Sequence, residues 1–280
     1  MIELPEAIVI SKQINNTLKG KVVKSAIRGQ TPHKFAFPGK YSDEEVSLIL
    51  KGKTITKSWS NGNIILVQMD PGFLLSLGCG GENIFYHTDA TTLPKKHQLL
   101  LEFEDQTFLT VTVSGWGEVR LLDLKELDNH PHIGYKKVDP LSDEFTYQAF
   151  ERLIKELPEK KKYNAKQFFI SEPGLRGIGN GVIQDIFFFS NINPKREMRT
   201  LTHEEKLYLF STTIEFLQDM VDRGGRDTEK DLFAQNGQYQ TVMNSKSANT
   251  PCPACKTPIV KEQYYGGSIY FCPNCQKIEL

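Results

Sequence analysis

The chain lacks any run of eighteen apolar residues, so neither a membrane span nor a membrane partner is expected. It also lacks a surplus of charge: Lys plus Arg and Asp plus Glu are 34 each. That balance argues against a nucleic-acid binder working by net charge alone, though clustered cations could still serve one. The visible cluster, Lys160 to Lys162, follows Glu156 and Glu159 and reads as a solvated helix end. The start, Met1-Ile2-Glu3-Leu4-Pro5-Glu6, has neither the basic region nor the apolar stretch of a signal peptide, so a cytoplasmic location is expected. Cysteines are few. Of five, four crowd the C-terminal end and Cys79 stands alone, a distribution that favours a metal over disulfides in a reducing compartment.

What is present is enough for two domains: 280 residues, 39% of them hydrophobic. Pro5 suits a first helical turn, and Ala7, Ile10, Ile14 and Leu18 recur at helical spacing before a stop at Gly20. Glu3 and Glu6 fall at the N-terminal end of that helix, where its dipole favours carboxylates. From about 21 to 124 the pattern changes to short β-rich runs, among them Ile64–Val67, Phe73–Leu75, Leu99–Phe103 and Phe108–Val113. Asn61-Gly62 and Pro71-Gly72 supply turns between such runs, and an antiparallel β-sandwich after a helix is expected. Asp128-Asn129-His130-Pro131-His132 and Asp139-Pro140 mark a linker. Helical pattern then covers Phe145–Leu157, Ala165–Ile170, Gly181–Phe189 and Glu204–Val221, the last with Thr202 and Glu205 as a capping box. Residues 226–250 are polar and poorly patterned, as in a flexible loop. The fold class is α+β with two domains.

Cys252-Pro-Ala-Cys255 and Cys272-Pro-Asn-Cys275 are sixteen residues apart. Each Cys-x-x-Cys turns two thiolates toward one point, and two such knuckles complete a tetrahedral site for zinc. Pro258-Ile259-Val260 and Ser268-Ile269-Tyr270-Phe271 are expected to pair across Gly266-Gly267. Because protein would fill all four positions, the one ion should be structural and contribute much of the module's folding energy.

Three further motifs carry a resemblance. Gly177-Ile178-Gly179-Asn180 is followed five residues after the Asn by Asp185; the chain opens Glu3-Leu4-Pro5-Glu6; and it closes Phe271-Cys272-Pro273-Asn274-Cys275-Gln276. In this order, over essentially the whole chain, they resemble the GIGN, PELPE and FCPxCQ signatures of the formamidopyrimidine-DNA glycosylase and endonuclease VIII family. The glycines of such a turn let backbone N–H groups approach a phosphate at a helix N-terminus, and Asn180 can add a donor beside Gly179. The resemblance implies an N-terminal helix with a β-sandwich, then a helix–two-turn–helix bundle with a zinc ribbon hairpin. It also implies an N-terminal proline amine that attacks the sugar of a damaged nucleotide, a neighbouring glutamate as acid–base, and a lysine and an arginine on the flanking phosphates.

The chemical positions depart from that pattern. Glu3 stands at the acid position, with Glu6 beside it, but Ile2 replaces the proline. With Met1 retained, the amine lies one residue too far out, about 3.5 Å of chain, and catalysis tolerates such misplacement badly. Removal of Met1 would expose the Ile2 amine. The family's RGK turn aligns with Asn61-Gly62-Asn63, which puts Asn63 where the lysine belongs, with Lys57 the nearest substitute. Gly267 replaces the hairpin arginine and removes its bidentate phosphate grip. The duplex-filling stretches align with Ser76-Leu77-Gly78-Cys79 and Ser114-Gly115-Trp116-Gly117. Cys79 thus stands in for a methionine wedge, and Trp116 offers a ring able to enter a base step unless it is buried in the sandwich.

The expected organisation is a sandwich domain over 1–127, a linker over 128–143, the DNA-binding helices over 144–225, the loop over 226–250 and the zinc hairpin over 251–280. The expected function is binding of damaged, distorted or abasic double-stranded DNA by a monomer, with base excision weak or lost. The alternatives are an active glycosylase and abasic-site lyase of base excision repair, and a zinc-containing interaction protein that no longer touches DNA.

Overall fold

The computed structural model describes all residues except 30, 32, 38–40, 79, 130, 131, 134–136, 172, 279 and 280. Two compact units result, one of residues 1–136 and 223–238, the other of 137–222 and 239–280. The segment 226–250, expected as one flexible loop, is therefore divided between them.

In the first unit, helix α1 (Leu4–Thr17) begins at Glu3, whose backbone N–H donates to Glu6 Oε2 at 3.0 Å, and Gly20 follows its end at φ +88°. Its predicted face, Ala7, Ile10, Ile14 and Leu18, is fully buried. That face joins a core between two four-stranded antiparallel sheets. One sheet runs β2 (Thr54–Asn61), β3 (Ile64–Asp70), β4 (Phe73–Gly78), β8 (Glu118–Asp123). The other runs β1 (Val23–Arg28), β6 (Leu99–Phe103), β7 (Phe108–Val113), β5 (Glu82–His87). β3 reads as a continuous apolar run because both its faces are covered. Ile65, Val67 and Met69 point into the main core, whereas Ile64 and Leu66 pack with Leu74 under Trp59, Leu122, Leu124 and Leu127.

One element departs from the expected β-rich stretch. Helix α2 (Asp43–Leu50) packs on β1, capped by Ser42 and Glu45 in a reciprocal box. The signal was present: Ser42-x-x-Glu45, then Val46 and Leu50 four residues apart, both fully buried.

The second unit contains α3 (Tyr147–Lys155), α4 (Ala165–Ile170), α5 (Val182–Phe189) and α6 (His203–Asp222). Thr202 and Glu205 exchange the expected capping bonds at the start of α6. The helices share an aromatic core. Phe150 lies 5.7 to 6.3 Å from the rings of Phe145, Phe168, Phe169 and Phe210, mostly edge to face, as aromatic quadrupoles prefer. β9 (Val260–Tyr264) and β10 (Gly267–Phe271) form the terminal hairpin. Its register pairs Tyr264 with Gly267, so the turn is Tyr265-Gly266 rather than the expected Gly266-Gly267. Both turn residues have positive φ, 44° and 74°, which matches the twist of a two-residue hairpin. Among the described residues no helix is long and apolar enough to cross a membrane.

Candidate nucleic-acid interface and metal centre

Glu3 and Glu6 come together at the start of α1, each 3% exposed. Sequence reasoning missed the group between them. Arg226 is 2% exposed; its Nε donates to Glu6 Oε1 at 2.9 Å, its Nη2 to Glu6 Oε2 at 2.8 Å, and its Nη1 lies 3.6 Å from Glu3 Oε1. The Arg226 backbone N–H adds a bond to Glu6 Oε1, and Nη2 also donates to the Met1 carbonyl at 2.9 Å. Burial pushes the Glu6 carboxyl up, but the Arg226 charge and the bonds it receives outweigh that and hold it below its ordinary value. The Met1 amine pairs with Glu229, and the Met1 side chain lies where a Cβ on Gly80 would reach to 2.6 Å of its Cγ. Ile2 is 3% exposed and part of the sandwich core. The residues at this helix end are thus packed and paired, five of the contacts coming from Arg226 alone.

Beside Gly80 stands a second carboxylate pair that the sequence did not announce. Glu82 accepts from the backbone N–H groups of Gly80 (3.0 Å) and Glu118 (2.7 Å). Burial raises its carboxyl to about 7 despite those bonds. Glu118, also buried, receives Arg120 Nη2 at 2.7 Å. Together they fasten the Ser114–Gly117 loop, whose Trp116 is 74% exposed. Burial of Trp116 in the sandwich, the alternative to a ring able to enter a base step, is thereby excluded. Asn63 sits in the two-residue turn that joins β2 to β3 at the Asn61–Ile64 pair. Lys57 is exposed, its Nζ 5.3 Å from the Trp59 ring. Cys79 lies outside the described residues.

In the second unit, the Gly177–Asn180 turn leads into α5. Asn180 Nδ2 donates to the Ser268 carbonyl at 2.9 Å, so a donor expected to face a phosphate holds the hairpin instead. Its Oδ1 is buried and has no hydrogen-bond partner among the described residues. Gln184 reinforces the joint, donating to Ser268 O and accepting from Tyr270 N–H. Asp185, the last residue of the motif, accepts from the Tyr239 hydroxyl and the Val242 and Met243 N–H groups, anchoring residues 239–243. Gly179 lies in the turn. At Gly267, where the resemblance implies an arginine, the neighbouring cation is Lys166 from α4. Its Nζ donates to the carbonyls of Tyr264 (2.6 Å) and Gly267 (3.3 Å), and desolvation holds its pKa below the ordinary lysine value.

The sulfur atoms of Cys252, Cys255, Cys272 and Cys275 all lie within 4.8 Å of one another. The closest pairs, Cys255–Cys272 at 3.4 Å and Cys252–Cys275 at 3.9 Å, bracket the ~3.8 Å edge of a tetrahedron with metal–sulfur bonds of about 2.3 Å. Hydrogen bonding with Thr257 and Asn274 draws Cys255 down to about 5, whereas burial pushes Cys272 and Cys275 up. Four thiolates this close repel one another unless a cation lies between them, so the donor set fits a metal ion. Gln276 ties the site to its unit: Oε1 accepts from Cys272 N–H and Nε2 donates to Ile192 O.

Residues 1–114 match the profile of the formamidopyrimidine-DNA glycosylase N-terminal domain. Along 99% of its length the chain is 26% identical to the whole formamidopyrimidine-DNA glycosylase of Gluconobacter oxydans. It is 27% identical to that of a Janthinobacterium species, again over 99% of this chain and 100% of the relative. The Lactococcus lactis Fpg crystallised with abasic-site DNA shares the fold, with a TM-score of 0.84 at 20% identity, covering 98% of this chain and 99% of that one. A complex of the same protein with DNA containing an oxidised pyrimidine gives 0.83. End-to-end similarity, the matching N-terminal profile and the common architecture agree: over its whole length the chain is similar to the formamidopyrimidine-DNA glycosylases, with the profile of their N-terminal domain over residues 1–114 and the same fold.

Proposed function

We propose that this protein binds damaged or abasic DNA and that its base-excision chemistry is weak or lost. The observation that carries the reading is the Arg226 guanidinium seated between Glu3 and Glu6 in a buried cluster. Family chemistry needs a free amine beside a carboxylate that can exchange protons with a sugar. Here both carboxylates are enclosed at 3% exposure, and the Met1 amine is paired with Glu229. The family's proline, turn lysine and hairpin arginine are replaced by Ile2, Asn63 and Gly267, whereas the scaffold motifs persist. DNA contacts fall to Trp116, Lys57 and Asn63 on the first unit and to backbone amides near Gly179 and Asn180 on the second.

The ion of the four-cysteine cluster is read as zinc, held structurally by Cys252, Cys255, Cys272 and Cys275. Closed four-sulfur coordination leaves no position for a reacting water.

A second reading, an active glycosylase and abasic-site lyase, is favoured by the curated relatives, which are themselves named formamidopyrimidine-DNA glycosylases. Borohydride trapping on an abasic-site duplex, with intact-mass measurement of the purified chain, separates the two. The proposal expects gel-shift binding to abasic duplex without a covalent adduct. An adduct on a chain that starts at Ile2, abolished by Glu3→Gln, would establish the enzyme instead. Absence of any DNA binding would leave an interaction module.

A further inference from the structure

Trp116 is carried by the Ser114–Gly117 loop between β7 and β8. Both ends of the loop are fastened. Ser114 N–H donates to Gly81 O at 2.7 Å, Gly117 N–H to Ser114 O at 2.9 Å, and Glu118 N–H to Glu82 Oε1 at 2.7 Å. A Cβ on Gly117 would lie 2.7 Å from the Gly81 carbonyl carbon, so the loop seats this closely only with glycine there. The indole therefore projects outward from a rigid base.

One ring backs it. Phe35 stacks on Trp116 with ring centroids 5.6 Å apart and planes 26° from parallel. Phe35 is itself fixed by the strand beneath the loop. Val119 N–H donates to Phe35 O, Phe37 N–H donates to Val119 O, and Ala36 bridges Val119. Ala36 and Phe37 are buried in the sandwich core. Lys34 places its Nζ 5.2 Å from the Phe35 ring centre, so a cation accompanies the rings.

A ring that wedges into a base step needs both faces free, since a base stacks on each side. Here Phe35 stacks against one face of the indole, and with the residue as a whole 74% exposed the opposite face is left to solvent. Such a surface receives one base on one side. Opening a paired step costs a few kcal/mol, whereas a base already unpaired incurs little of that cost. We propose that Phe35 and Trp116 form a one-sided stacking platform for an unpaired nucleobase, with Lys34 beside it for the adjoining phosphate. Gapped, bulged or single-stranded DNA would then be preferred over fully paired duplex. This rests on the reading of the chain as a DNA-binding protein and assigns Trp116 a different role from the duplex wedge that the family resemblance implies.

The test uses the full chain carrying Trp59→Phe, which leaves Trp116 as the only tryptophan. Its fluorescence is followed while short oligothymidylate, gapped duplex and paired duplex of the same length are titrated in. Oligothymidylate and gapped DNA should quench Trp116 and bind more tightly than paired duplex. Trp116→Leu and Phe35→Leu should each weaken binding of these two by about 5- to 30-fold, with a smaller loss on paired duplex. Trp116→Tyr, which keeps a ring, should retain most of the affinity. Equal loss on all three DNAs, or intact duplex binding with no quenching by gapped DNA, would overturn the platform and leave the DNA-binding reading standing. If none of the three binds while an abasic duplex does, the platform alone falls; if the abasic duplex fails as well, both readings fall.

Discussion

Arg226→Met keeps much of the apolar stem of the side chain and deletes the guanidinium, leaving Glu6 buried without its partner. Breaking one side of a buried, hydrogen-bonded pair costs about 3–5 kcal/mol, a large part of the roughly 5–15 kcal/mol that holds a domain folded. The loss depends on pH with a defined sign. In the wild type the Glu6 carboxyl is held below its ordinary value of 4.5, so its contribution is fully present above that pH and disappears on acidification through the lower folded value. In the variant only burial and backbone bonds remain, and burial, the largest influence on this group, raises the carboxyl. The folded variant then holds a proton that the unfolded chain has released, and its stability falls as pH rises from 4.5 toward neutrality. The gap between wild type and variant should therefore widen from pH ~5 to pH ~7.5. Urea unfolding followed by circular dichroism at both pH values measures it. Adding Glu6→Gln to the variant should recover part of the loss, because a neutral amide removes the unpaired buried charge and its one oxygen can still accept one of the two backbone bonds. A loss below about 1 kcal/mol, or one equal at both pH values, would refute the account of this cluster.

Two other outcomes follow from buried ionisable groups. Glu82, raised to about 7, keeps its proton in the folded state over a window where the unfolded chain has lost it, so wild-type stability should decline as pH climbs from 4.5 to 7. Glu82→Gln should flatten that decline and exceed wild type near pH 8 in thermal melts; parallel profiles would mean the carboxyl is not protonated in the fold. Metal analysis of the purified chain should find one zinc per molecule. Chelation should expose residues 251–278 to protease while the β-sandwich keeps its far-ultraviolet spectrum, and an unchanged digestion pattern would speak against a structural ion.

Much of the architecture could be read from short-range pattern. The spacing of Ala7, Ile10, Ile14 and Leu18 specified α1, and the apolar run at Ile64–Val67 specified β3, because each residue's face follows from its neighbours three, four or two positions away. The four-cysteine cluster was equally legible, since Cys252-x-x-Cys255 is a local pattern suited to a metal and Cys272-x-x-Cys275 repeats it. Helix α2 could have been found from Ser42, Glu45, Val46 and Leu50; it was hidden by the β-rich signal on either side. The hairpin turn was misplaced by one residue because Gly266 and Gly267 both suit a turn, and only the pairing of Tyr264 with Gly267 selects between them.

The amino-acid sequence by itself determined most element types, the four cysteines that could hold a metal and the resemblance carried by its ordered motifs. Tertiary structure alone decided what surrounds Glu3 and Glu6. Arg226 is 220 residues from Glu6 and sits in a stretch with no periodicity to mark it. Phe35 and Trp116, and likewise Glu82 and Glu118, meet only because separate strands and loops bring them into one layer. The physical reason is range. Periodicity, capping and chelate spacing act within a few residues, whereas the pairing of a charge or a ring with a partner far along the chain depends on the closed fold.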